Sequence, residues 1–71
     1  MVYIRIKELR KKKNITQLKM AMDLNTTQNT ISRYETGAHD PGLKELLSIA
    51  DYFGVSIDYL LGRTDNPHIN K

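Results

Sequence analysis

The sequence predicts an all-α fold, a compact bundle of five short helices around one core. Three observations carry that expectation. Apolar residues recur at helical spacing, as in Val2, Ile6 and Leu9, and again in Leu43, Leu46, Leu47, Ile49, Ala50 and Phe53. Hydroxyl residues able to cap a helix stand at Thr16, Thr27 and Ser56, each just ahead of a helical stretch. Residues that tolerate a left-handed backbone, Asn25, Gly37, Gly54 and Gly62, stand where those stretches end.

The first helix is expected over residues 3–13, with Val2, Ile6 and Leu9 as its inner face. Lys11, Lys12 and Lys13 close it, where cations complement the negative end of the helix dipole. One or two of these lysines are also candidate neighbours of a phosphate. Asn14 breaks the helix and Ile15 returns to the core. Thr16 then caps a second helix, with Ile15 and Met20 placed for a hydrophobic staple. Met20, Ala21 and Leu24 share its inner face, and Ala21 is small enough to let a second helix approach. Beyond a tight corner at Asn25, Thr27 caps a third helix running from Gln28 to about Glu35. Ile31 and Tyr34 point inward there, while Gln28, Asn29, Ser32 and Arg33 point outward.

That pair of helices has the pattern of a helix-turn-helix. Gln28 and Asn29 each carry an amide able to bond adenine N6 and N7, and Arg33 can reach guanine or a phosphate. Thr27, Thr30 and Ser32 are candidate contacts to the DNA backbone. The loop from Thr36 to Pro41 should follow that backbone, with Thr36, the N–H groups after it and His39 as candidate ligands. Pro41-Gly42 opens a fourth helix, expected to supply most of the core through Leu43, Leu46, Leu47, Ile49, Ala50 and Phe53. Ser56 caps a fifth, with Val55 and Leu60 as another staple. The domain is expected to span residues 1–62, and residues 63–71 to form a loose tail.

Composition removes several function classes. Seventy-one residues make one small domain, and without cysteine there is neither a disulfide nor a thiolate metal site. His39 and His68 lack ligand spacing, the carboxylates form no acid–base pair, and no glycine-rich phosphate loop is present. Neither metal nor cofactor is expected, and the chain reads as a non-enzyme. No apolar run approaches the ~20 residues that span a bilayer, so a cytoplasmic location and no membrane partner are expected. Charge is distributed unevenly. Residues 1–39 hold eight Lys/Arg against three Asp/Glu, and residues 40–71 hold three against five. A basic front half suits a polyanion, though a solvated surface explains the same pattern.

The sequence also resembles a known family. Thr16-Gln17, Ala21, Leu24, Thr27, Ile31-Ser32-Arg33-Tyr34-Glu35 and Gly37 match the helix-turn-helix domain of the phage repressor and Cro class. Pro41, Leu43, Ile49-Ala50 and the closing run FGVSIDYLLG extend the match over roughly residues 4 to 62. The resemblance implies a lambda-repressor-like bundle that inserts its third helix into the major groove of double-stranded DNA. It places Gln17 at a phosphate and pairs Arg10 with Glu35 across the first and third helices. Ala38, His39 and Asp40 depart from the family, which often has basic residues there.

A repressor that binds a near-palindromic operator as a homodimer is the leading expectation, with Val55, Ile57 and Leu61 as either candidate dimer contacts or closure of the domain's own core. The alternative is a protein-interaction module on the same scaffold, such as an antitoxin-like binder. Leu18 and Met22 support it, one turn apart outside the inner stripe, where they either pack under a neighbour or form an apolar patch for a protein partner.

Overall fold

The computed structural model describes residues 4–68. Val2, the expected helix start at residue 3 and the tail beyond His68 lie outside the described residues. Five helices follow in order: α1 Ile6–Lys12, α2 Gln17–Asp23, α3 Gln28–Thr36, α4 Leu43–Phe53 and α5 Ile57–Leu60.

Local chemistry sets the boundaries. The hydroxyls of Thr16, Thr27 and Ser56 accept from the N–H groups of Lys19, Thr30 and Tyr59 at 3.0, 3.1 and 3.0 Å. Each cap satisfies a donor that the first turn leaves unpaired. Asn14 and Asn25 take positive φ of 56° and 60°, which ends α1 and turns the corner after α2. At that corner the Thr26 N–H donates to the Ala21 carbonyl at 2.9 Å, and Ala21 is buried. A larger side chain at Ala21 would push the two helices apart. Gly37 and Gly54 end α3 and α4 in the left-handed conformation.

The largest fully buried side chains are Ile6, Met20, Ile31, Ile49 and Leu60, one from each helix. Every helix therefore contributes its own anchor, each stabilising by about 1.5–3 kcal/mol relative to exposure. Leu9, Ala21, Ala50, Phe53, Val55 and Tyr59 complete the core.

One expectation about the core is corrected here. Leu43 and Leu47 are not core: Leu43 is 71% exposed and Leu47 is exposed as well. Leu43 opens α4, and Leu47 sits about 100° round the helix from Leu46, off the stripe of Leu46, Ile49, Ala50 and Phe53. Val55, at 7% exposure, belongs to the core and also borders a groove with Leu47 and Ile57. Of the three candidate dimer residues Ile57 and Leu61 are the more exposed. Two backbone bonds join residues 63–68 to the region of α5. The Arg63 N–H donates to the Asp58 carbonyl at 2.8 Å, and the Ser56 N–H to the Pro67 carbonyl at 3.0 Å.

Arg5 fastens the same region. Its guanidinium lies over the Tyr59 ring at 4.3 Å, donates to Asp65 at 2.9 Å and reaches the Thr64 carbonyl at 3.4 Å. The Arg5 backbone N–H donates to the Leu60 carbonyl at 2.8 Å, so the entry to α1 is joined to the end of α5. Arg5 Nε is buried with no hydrogen-bond partner among the described residues. The aromatic face under the guanidinium offsets part of that cost.

Candidate nucleic-acid interface

The back of α3 fixes its front. Ile31 is fully buried and Tyr34 packs against the core, which turns Gln28, Asn29 and Arg33 to the outside. Burial, then the nearby Glu45 carboxylate, raises the Tyr34 phenol above its ordinary range. The His39 ring stacks on Tyr34 with centroids 5.7 Å apart and planes 15° from parallel. His39 is thus a cover for Tyr34 as well as a surface residue.

Gln17 from α2 and Gln28, Asn29 and Ser32 from α3 line one open depression of about 330 Å³. Three carboxamides and a hydroxyl offer both donors and acceptors, which is the complement of base edges and phosphate oxygens. Arg33 is exposed but does not line that depression. Thr27 and Thr30 share a hydroxyl–hydroxyl bond of 2.9 Å at the start of α3.

Behind this surface is a charged node. Glu35 Oε2 accepts from Arg10 Nε at 2.6 Å, and Oε1 accepts from Arg10 Nη2 at 3.1 Å and from Gln17 Nε2 at 3.0 Å. Arg10 Nη1 donates to the Ile15 carbonyl at 2.9 Å, just before the cap of α2. The Glu35 side chain is 3% exposed and that of Arg10 is 12% exposed. The carboxylate hydrogen bonds raise the Arg10 guanidinium still further above neutrality, so its charge is fixed.

The loop after α3 differs from its expected use. The N–H groups of Gly37 and His39 turn back to the carbonyls of Tyr34 and Arg33, at 3.3 and 3.2 Å. The Ala38 N–H donates to Thr36 Oγ1 at 3.4 Å, and that hydroxyl donates to the Arg33 carbonyl at 3.3 Å. These N–H groups close α3 and are not held out for a phosphate, because left-handed Gly37 folds them over the helix end.

Leu18 and Met22 both stand exposed, Met22 at 70%, so the reading in which they pack under a neighbour fails. Between them Lys19 pairs with Asp23 at 2.9 Å, and Asp23 accepts from the Tyr52 hydroxyl at 2.6 Å. Among the described residues no three metal-ligating side chains cluster, and no helix is long and apolar enough to cross a membrane.

Sequence reasoning missed the Gln17–Glu35 bond, the Tyr52–Asp23 bond and the Arg5 clamp. Each joins residues far apart in the chain, and no periodicity signals such pairs. Only donor–acceptor complementarity, unplaced along the sequence, could have raised them.

A family profile described as helix-turn-helix matches residues 6–60. The chain belongs to that helix-turn-helix family, of the Cro/C1 type. It is 41% identical over 61 residues to the HTH-type transcriptional regulator ImmR of Bacillus subtilis, covering 86% of this chain and 48% of the relative. It is 37% identical over 59 residues to the cryptic phage CTXphi transcriptional repressor RstR of Vibrio cholerae, covering 83% and 53%. The HTH-type transcriptional activator BcrR of Enterococcus faecalis matches at 37% over 57 residues, covering 80% and 28%. The chain spans about half the length of the first two of these relatives.

Proposed function

We propose that this chain is a DNA-binding transcription regulator and not an enzyme, acting as a repressor through α3 in the major groove of double-stranded DNA. The observation that carries this reading is the depression lined by Gln17, Gln28, Asn29 and Ser32 on the exposed front of an otherwise anchored helix. Gln28, Asn29 and Arg33 read bases, while Gln17, Thr27, Thr30, Ser32, Thr36 and His39 face the backbone. RstR, a repressor by name, supports the direction of regulation, although BcrR is named an activator.

A homodimer on DNA completes the reading, with two copies addressing half-sites about 34 Å apart. The contact falls to a groove of about 290 Å³ that Leu47, Val55 and Ile57 share. Leu61, half-buried, borders α5. The exposed Leu18 and Met22 favour a second, smaller reading, in which a protein partner docks on α2.

Selection of bound sequences from a random duplex pool tests the proposal. A near-palindromic site, with affinity that falls steeply as salt rises, is the expected result. No enrichment, together with salt-insensitive binding, would overturn it.

A further inference from the structure

We propose that Glu35 is a positioning residue for Gln17: it holds the Gln17 carboxamide at the edge of the reading surface, in one orientation, before DNA arrives. This inference rests on the reading of Gln17 as a DNA contact and adds how that contact is prepared. Glu35 is the next-to-last residue of α3, and its buried carboxylate bonds both α1 and α2.

A surface glutamine ordinarily samples many rotamers and either amide orientation. Here Gln17 Nε2 donates to Glu35 Oε1 at 3.0 Å. The reversed amide would set two acceptor oxygens against each other, so the carboxylate selects one orientation. One N–H and the amide oxygen remain for the depression that Gln17 shares with Gln28, Asn29 and Ser32. Ordering the side chain in advance removes a cost that binding would otherwise carry.

Arg10 makes this arrangement compatible with a polyanion. An unpaired carboxylate behind the reading surface would repel phosphate, whereas Arg10 at 2.6 Å cancels its charge locally. The pair thereby does more than join α1 to α3. It also supplies an acceptor for Gln17 without leaving net negative charge there.

The two roles of Glu35 separate by sign. Removing an acidic residue near a DNA-facing surface should, on charge alone, tighten binding. Removing a positioning residue should weaken it, and only while Gln17 is present. The experiment measures affinity of the full chain for a random-sequence duplex by fluorescence anisotropy, for Gln17→Ala, Glu35→Ala and the double variant. It is run at a temperature where circular dichroism shows each variant folded.

Gln17→Ala and Glu35→Ala should each weaken binding by about two- to tenfold, the worth of one hydrogen bond. The double variant should bind no more weakly than Gln17→Ala. Normal binding by Gln17→Ala would overturn the reading of Gln17 itself. Weakening by Gln17→Ala alongside tightened or unchanged binding by Glu35→Ala would overturn positioning and leave that reading intact, as would multiplying losses in the double variant.

A measurement on the unaltered chain needs no variant to fold. One of the two Gln17 Nε2 protons, the one given to Glu35, should be shifted in the NMR spectrum from its free-glutamine position and protected from exchange. Both protons at free-glutamine positions, with unprotected exchange, would overturn the proposal.

Discussion

At the front of the molecule α1, α2 and α3 meet on the carboxylate of Glu35, whose three acceptor contacts run from 2.6 to 3.1 Å. At the back α4 and α5 meet through Ile49, Ala50, Phe53, Val55 and Leu60, side chains without a polar atom. Ile6, Met20 and Ile31 anchor the front too, but there directed bonds are added where geometry must be right to a fraction of an ångström. The two kinds of contact should therefore fail differently. A damaged polar node leaves a charge stranded, whereas a damaged apolar contact leaves a void.

The largest effect tests that difference at the node. Arg10→Met should cost about 3 kcal/mol in denaturant unfolding, near the low end for a stranded buried carboxylate because the Arg10 edge meets water. The double change Arg10→Met with Glu35→Leu should recover much of that loss, since no charge is then left uncompensated. Costs that simply add would mean the node contributes nothing beyond the packing shared with the back, and the comparison would collapse.

Gln28→Ala and Asn29→Ala probe the reading surface without touching the node. Each should leave the unfolding midpoint unchanged and cost about 1–3 kcal/mol on the selected duplex, with base preference flattened. Equal losses on selected and random duplex would remove the base-reading role. At the back, Ile49→Val should cost about 0.5–1.5 kcal/mol, graded with the volume deleted, and leave DNA affinity alone. A DNA defect in that variant would show that the two regions are not separable.

How far the sequence reveals these regions follows from the range of each interaction. The caps at Thr16, Thr27 and Ser56 act over three residues, so they are legible in a short window. The outward face of α3 follows from Ile31 and Tyr34 at helical spacing, and the depression gathers Gln28, Asn29 and Ser32 with Gln17. Leu43 and Leu47 mislead because they satisfy the apolar pattern of α4, yet burial depends on whether another helix lies opposite. Val55 takes the core reading that the sequence left open, since the four-residue α5 leaves room for it there. Pairs such as Gln17–Glu35, Tyr52–Asp23 and Arg5–Asp65 are 18, 29 and 60 residues apart. Docking brings them together, so they appear only once the helices are placed. Arg10–Glu35 entered by resemblance and not by spacing.

The smallest effect concerns the one bond described above that ties the end of α2 to the end of α4. The Tyr52 hydroxyl donates to Asp23 at 2.6 Å, and this bond, then that from Lys19, holds the Asp23 carboxyl below the usual carboxylate range. Burial, then Asp23, pushes the Tyr52 phenol up to about 12. The signs are opposite at the two ends of the pH scale. Asp23 stabilises the fold at neutral pH, and that contribution is lost as acid protonates it below the ordinary carboxylate range. In alkali the unfolded chain releases the phenol proton near pH 10, while the folded chain keeps it to about 12. Stability should therefore fall through that window. Tyr52→Phe removes the hydroxyl, so thermal unfolding followed against pH should flatten at both ends relative to the unaltered chain. Superimposable profiles would show that this bond does not couple front to back, and that the regions meet only through the apolar core.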